Sequence, residues 1–184
     1  MATSKPTIST SFLYETLEET LDIKPLGAKL HIGIPKETAF QENRIALSPE
    51  AVGVLVSNGN EVSIEHLAGE GSHYSDADYS EAGARIVFDR HEIYKCPILV
   101  KSAPIVSEDL PLLQLNQIII SPIHYSALQQ ADIQKMMEKK ITALSFENFK
   151  DASGTYPIVR SMSEIAGSAV MLIAAQYLSS FNKG

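Results

Sequence analysis

The alternation of short apolar segments with helical segments of about ten residues constrains the fold of this chain most. Six segments are predicted to be strands, because β-branched residues fill them and turn residues bound them. They are residues 29–34, 60–66, 85–88, 97–101, 117–121 and 141–147. Helical patterns at 48–59, 75–83, 89–95 and 126–140 separate most of them. Strands joined through helices are typical of parallel βαβ units, so the sequence predicts an α/β fold with a mostly parallel sheet flanked by helices.

Two segments flank this α/β body, which we place at residues 29–160. Residues 1–28 form an N-terminal extension, in which apolar residues recur at helical spacing from Ser11 onwards and predict an amphipathic appendage helix. Residues 161–184 are predicted to be a long apolar helix that starts near Met162, with Ser161 or Ser163 close to its start. Such a helix needs a neighbour to cover it, so we expect association.

The composition excludes several classes of protein. The chain has 184 residues, a formal net charge of −7 and 45% hydrophobic residues, which indicates a globular protein and argues against a nucleic-acid binder. Its single cysteine, Cys96, cannot form an internal disulfide and is expected to be an inert core thiol. The histidines lack ligand-like spacing, so no metal site is predicted.

Targeting and nucleotide-binding signals are also missing from the sequence. No run of 18 or more apolar residues and no signal peptide is present, so we expect no membrane span and a cytoplasmic location. No G-x-G-x-x-G and no P-loop occurs either. The sequence therefore lacks the glycine fingerprint that cradles a dinucleotide or a triphosphate.

Four stretches, in order and at similar spacing, resemble one enzyme family. They are "IGIPKETAFQENRIALSPEAV", "GNEVSIEHLAGEGSHYSDADYSEAGARIV", "IIISPIHYSA" and "PIVRSMSEIAG". The chain from about Lys29 resembles the family that alanine dehydrogenase forms with the alpha subunit of nicotinamide nucleotide transhydrogenase.

The resemblance implies a two-domain enzyme whose first part is a Rossmann-like or flavodoxin-like substrate domain. Its second domain would bind NAD, and this chain would end where that domain begins. The substrates would be L-alanine and pyruvate, and the assembly a homo-oligomer. We therefore expect the isolated chain to be inactive, with NAD held mainly by residues outside it.

Arg44 matches the family's carboxylate-binding arginine in the "ENR" context. A planar guanidinium can grip a substrate carboxylate with two hydrogen bonds. The alternative is a surface arginine paired with Glu37 or Glu42.

Two further residues match substrate-contacting positions of the family. His124 follows a strand and a proline, and the resemblance implies that it binds the keto oxygen and transfers a proton; a structural histidine is the alternative. Lys101 would contact the substrate as well. However, the family's lysine stands two residues before a proline, whereas Lys101 stands three residues before Pro104. The alternative that Lys101 is a solvated lysine at a strand end therefore stays open.

Met162 and Ser163 match the family's "MSE" at the start of the linking helix, and the resemblance implies that they contact the nucleotide. Free N–H groups at a helix start attract phosphate, whereas a plain helix cap would explain the serine equally well.

Two other functions are weighed against an alanine dehydrogenase. In a transhydrogenase-like subunit the pocket would be vestigial, and both His124 and "SMSEIAG" count against it. A non-catalytic assembly module that keeps the fold is the third possibility.

Overall fold

A six-stranded, all-parallel sheet forms the body of the protein in the computed structural model, which describes residues 29–123 and 129–181. The strand order is β3-β2-β1-β4-β5-β6. The predicted α/β fold with a parallel sheet is therefore confirmed. The strands are β1 (His31–Ile34), β2 (Glu61–Glu65), β3 (Arg85–Val87), β4 (Ile98–Val100), β5 (Ile118–Ser121) and β6 (Thr142–Ser145).

The described residues also contain five α-helices: α1 (Pro49–Ser57), α2 (Asp76–Glu81), α3 (Arg90–Ile93), α4 (Gln130–Glu138) and α5 (Pro157–Phe181). The predicted start of α1 is confirmed, because Ser48 caps it by accepting from Ala51 N and Pro49 is its first residue. A capping box between Ser75 and Asp78 starts α2. The predicted appendage helix lies outside the described residues.

Apolar side chains cover both faces of the sheet. Because side chains alternate along a strand, Ile34 and Ile64, which are paired across β1 and β2, point to one face, and Gly33 and Leu99 point to the other. The first face packs against α1 and α2 around Val52 and Tyr79. The second packs against α3 and the segment after β4; its buried members are Val87, Ile93, Tyr94, Leu99, Leu110, Leu113 and Ile119.

Helix α5 begins at Pro157, so the predicted start near Met162 is wrong by about one turn. Its residues are exposed from Pro157 to Ser179. Over this range the helix is long and apolar enough to cross a membrane by length and composition. It contains no uninterrupted run of 18 apolar residues, because serines and other polar residues lie within it. A single helix of this kind is weak evidence for a membrane span, because helices of globular proteins pass the same test.

Gly33 lets α3 approach the centre of the sheet. A Cβ atom at this position would lie 2.9 Å from the carbonyl oxygen of Ile93 and 2.9 Å from Cys96 Cβ. The neighbouring Cys96 is half-buried, and burial raises the pKa of its thiol. The expectation of an unreactive thiol therefore agrees with its surroundings.

We predict that Gly33→Ala destabilises the protein by about 1–3 kcal/mol, because the added methyl group overpacks a site walled partly by backbone. Gly53→Ala is the matched control. Its Cβ would lie 3.9 Å from the nearest atom, inside α1, where alanine is favoured over glycine by about 0.5–1 kcal/mol. Urea unfolding followed by circular dichroism measures both variants. Equal effects of the two substitutions would contradict the packing described here.

Candidate functional site

The strand order reverses between β1 and β4. The chain builds β2 and β3 outwards on one side of β1, and then β4, β5 and β6 outwards on the other side. In such sheets, ligands bind in the crevice beyond the carboxyl ends of the strands at the reversal. The segments that follow β1 and β4 meet there, and they carry Arg44 and Lys101 respectively.

The segment between β1 and α1, residues 35–48, is tied to the β2–α2 region at three points. Lys36 N donates to Glu65 Oε2 at 2.8 Å, Ser72 Oγ donates to the carbonyl oxygen of Asn43 at 2.8 Å, and Tyr79 donates its hydroxyl to the carbonyl oxygen of Leu47 at 2.8 Å. Arg44 lies between the second and third of these points, so its backbone position is well defined.

A pocket of about 390 Å³ lies at this crevice. Arg44, Lys101 and Met162 all line it, so the structure brings three of the predicted site residues to one place. Its floor includes Val100 and Ile120, which are paired across β4 and β5. The remaining lining is mostly apolar: Ile45, Ala46, Leu47, Ser102, Phe146, Phe149 and Ile158.

Arg44 is paired with Glu42. Its Nε donates to Glu42 Oε1 at 2.8 Å and its Nη2 donates to Oε2 at 2.6 Å. The hydrogen bonds with the carboxylate raise the pKa of Arg44 and lower that of Glu42. The outer edge of the guanidinium, at Nη1, donates to no group in the described residues. Because 59% of the side chain is exposed, that edge can receive a second carboxylate.

Lys101 is a buried ammonium, so the alternative of a solvated lysine is wrong. Its side chain is 2% exposed and its Nζ lies 2.9 Å from Glu37 Oε2 and 3.3 Å from Asp109 Oδ2. Both contacts are ion pairs, and the one with Glu37 lacks hydrogen-bond geometry, since Glu37 Oε2 accepts no hydrogen bond from the described residues.

Glu37 bridges the two segments at the crevice. Its Oε1 accepts hydrogen bonds from Ser102 N at 2.6 Å and from Ala103 N at 3.1 Å. Sequence reasoning considered Glu37 only as a partner of Arg44, but the structure pairs it with Lys101 and pairs Arg44 with Glu42. No local pattern indicated the Glu37–Lys101 pair, because the two residues follow different strands.

A second group of polar residues behind Lys101 was also missed. Asp109 is 1% exposed, and its Oδ1 accepts from the Tyr94 hydroxyl at 2.6 Å and from Arg90 Nη2 at 3.0 Å. Arg90 also contacts Glu65, with its Nη1 3.2 Å from Glu65 Oε2. Burial alone would raise the pKa of Asp109, but Lys101, Tyr94 and Arg90 outweigh it and hold the pKa below its usual value. Asp109 is therefore a buried carboxylate in its ionised form.

Met162 and Ser163 lie in the second turn of α5. Met162 lines the pocket, whereas the Ser163 hydroxyl donates back to the carbonyl oxygen of Val159 at 2.8 Å. Because the helix begins at Pro157, Ser163 is neither its cap nor the site of free N–H groups, and both interpretations of this serine as a helix start are wrong. Contact of the two residues with a nucleotide stays a prediction.

His124 lies outside the described residues, three positions after the end of β5. Its assignment therefore stays a prediction. In the part of the chain that the structure describes, no three His, Cys, Asp or Glu side chains are close enough together to hold a metal ion.

Comparison with known proteins agrees with this arrangement. Residues 33–166 match the family model described as alanine dehydrogenase/PNT, N-terminal domain. Alanine dehydrogenase from Staphylococcus epidermidis is 34% identical over 155 residues, which are 84% of this chain and 42% of that protein.

Two solved structures are similar as well. An L-alanine dehydrogenase matches with a TM-score of 0.78 and 31% identity over 84% of this chain and 43% of its own. A transhydrogenase from Sinorhizobium meliloti matches with a TM-score of 0.58 and 26% identity over 64% of this chain and 35% of its own.

The chain thus spans about two-fifths of the length of the alanine dehydrogenases that it matches. The matched region runs from the middle of β1 through β6 to the beginning of α5. The resemblance drawn from the four sequence stretches is confirmed: this chain belongs to the alanine dehydrogenase/PNT N-terminal domain family.

Proposed function

We propose that this chain forms the substrate-binding part of an NAD-dependent alanine dehydrogenase. The whole enzyme would convert L-alanine, NAD⁺ and water into pyruvate, ammonium, NADH and a proton. One observation carries the proposal: Arg44 and Lys101, which follow different strands, line the same pocket where the strand order reverses.

The two cations suit the two oxygen-bearing groups of a 2-oxo acid. Arg44 would take the carboxylate on the edge of its guanidinium that Glu42 leaves open. Lys101 would donate to the keto oxygen with the third of its N–H donors, since it has two carboxylate neighbours. A positive charge beside that oxygen favours attack at the α-carbon, because negative charge develops on the oxygen.

His124 is proposed to move the proton at the substrate oxygen. In the sequence it follows the end of β5 by three positions, and β5 is paired with β4, the strand that Lys101 follows. An imidazole suits this role because its ordinary pKa is close to neutral.

The described residues do not fit a dinucleotide. The segment after β1 opens with Pro35, Lys36 and Glu37 instead of a glycine turn, and the N–H of Ser163 lies inside α5 rather than at its start. NAD would therefore be held mainly by residues outside the chain, and Met162, at the edge of the pocket, is the residue here that we expect to contact it.

The similarities favour a dehydrogenase over a transhydrogenase-like subunit. The L-alanine dehydrogenase structure matches more of this chain and with the higher TM-score. We further propose a cytoplasmic homo-oligomer, in which the exposed apolar side chains of α5 are covered by protein.

We predict that Arg44→Ala weakens pyruvate binding to this chain about tenfold to a hundredfold, because a charge-assisted, two-pronged contact is lost. Arg44→Lys should recover only part of the affinity, since an ammonium cannot reproduce the fork. Isothermal titration calorimetry with pyruvate measures both variants.

Arg160→Ala is the matched control for that experiment. Arg160 is also an exposed arginine paired with a glutamate, with its Nε 2.9 Å from Glu164 Oε1, but it lies outside the pocket. Its loss should leave the affinity unchanged. Equal weakening by Arg44→Ala and Arg160→Ala, or none by either, would contradict the proposed role of Arg44.

We also predict that this chain alone does not oxidise NADH in the presence of pyruvate and ammonium, because it lacks the glycine fingerprint for the cofactor. The decrease in NADH absorbance measures the reaction. Turnover that depends on the chain and disappears in Arg44→Ala would show that the nucleotide site is complete without further residues.

A further inference from the structure

We infer that Asp109 is a positioning residue that holds the ammonium of Lys101 in place for the substrate's keto oxygen. The inference rests on the proposed function, because it takes a 2-oxo acid as the ligand of the pocket. It extends that function to a carboxylate that does not line the pocket.

The Asp109 carboxylate is fixed on both oxygens. Oδ1 accepts from the Tyr94 hydroxyl at 2.6 Å and from Arg90 Nη2 at 3.0 Å, and Oδ2 accepts from Val106 N at 3.3 Å. The same Oδ2 lies 3.3 Å from Lys101 Nζ. A carboxylate with both oxygens anchored cannot follow a moving ammonium, so it defines one position for it.

Glu37 is anchored on one oxygen only. Its Oε1 accepts from Ser102 N and Ala103 N, but Oε2, which lies 2.9 Å from Lys101 Nζ, accepts no hydrogen bond from the described residues. Asp109 and Glu37 together place the ammonium between two carboxylates from different segments. The flexible lysine side chain is thereby restricted before a ligand arrives, which lowers the entropy cost of binding.

Arg90 ties Asp109 to a wider group of charges. The group contains two cations, Lys101 and Arg90, and three carboxylates, Glu37, Asp109 and Glu65, so it is not neutral without a further cation. Asp109 contacts both cations, and Arg90 is also paired with Glu65. Lys101 has three N–H donors and two carboxylate neighbours, so one donor is left for an oxygen atom in the pocket while the side chain is held in place.

The test compares two ligands in calorimetric titrations of this chain. Pyruvate carries a carboxylate and a keto oxygen, whereas propionate has the same carbon skeleton and carboxylate without the keto oxygen. A change in the overall charge of the site acts on both ligands. The affinity for pyruvate divided by the affinity for propionate therefore reports the contact at the keto oxygen, and this quotient is the ratio used below. We expect Asp109→Asn to lower this ratio about tenfold.

Glu65→Gln is the matched control. It removes one negative charge from the same buried group but has no contact with Lys101. We expect it to leave the ratio within about twofold of the original protein. A fall in the ratio that is equal for Asp109→Asn and Glu65→Gln would overturn the inference, because the effect would then come from charge and not from position.

Two further variants complete the test. In a Lys101→Met background, Asp109→Asn should have no additional effect on the ratio, because Asp109 acts through Lys101. Tyr94→Phe removes one anchor of Asp109 and leaves every charge in place, so it should lower the ratio by about threefold even if Asp109→Asn does not fold.

The outcomes separate this inference from the proposed function. If the original chain does not bind pyruvate in preference to propionate, the proposed function fails and the inference falls with it. If it does, and both Asp109→Asn and Tyr94→Phe keep the original ratio, the inference alone is wrong.

Discussion

The contact between Lys101 and Glu37 is the interaction on which the site depends. It joins the segments that follow β1 and β4, the two neighbouring strands at the reversal of the strand order. Burying two charges costs free energy, and removing one partner of such a pair typically costs about 3–5 kcal/mol because the other charge stays buried. The backbone N–H groups that donate to Glu37, the carboxylate of Asp109 and the guanidinium of Arg90 offset that cost. Glu37 and Asp109 at the same time hold the ammonium of Lys101 in place.

The pocket follows from the way in which the sheet is built. Val100 and Ile120, which are paired across β4 and β5, give the pocket an apolar lining. Lys101, the residue after β4, instead pairs with Glu37 and Asp109. Arg44 reaches the pocket from a segment that Tyr79 and Ser72 anchor. Separate elements therefore supply Arg44 and Lys101, the two cations that we propose bind the carboxylate and the keto oxygen, so each can be held without the other.

Local signals in the sequence were sufficient for the sheet and for most helix starts. The alternation of residues along the strands predicted β1 and β2 correctly, and Ser48 followed by Pro49 predicted the start of α1. Residues that are neighbours in the sequence determine both features. The start of α5 was predicted wrongly because serines were taken as caps. Ser161 and Ser163 instead donate to carbonyl oxygens one turn earlier, and Pro157 at the first helical position was the correct signal.

For the site, the family resemblance singled out Arg44 and Lys101, but the sequence could not supply their partners. Glu42 lies two residues from Arg44 and was one of two alternatives, whereas Glu37 and Asp109 meet Lys101 only through the folded sheet. Pairing between distant segments depends on strand order, which the sequence pattern left open. The position of Lys101 relative to Pro104 likewise could not show whether its side chain would be buried.

The most direct test of this account is a crystal structure of the chain with pyruvate. We expect the ligand in the pocket between Arg44 and Lys101, with its carboxylate on the guanidinium, its keto oxygen within hydrogen-bonding distance of Lys101 Nζ, and the Lys101 contacts with Glu37 and Asp109 retained. Pyruvate bound elsewhere, or bound at Arg44 with Lys101 turned away from the keto oxygen, would contradict the account.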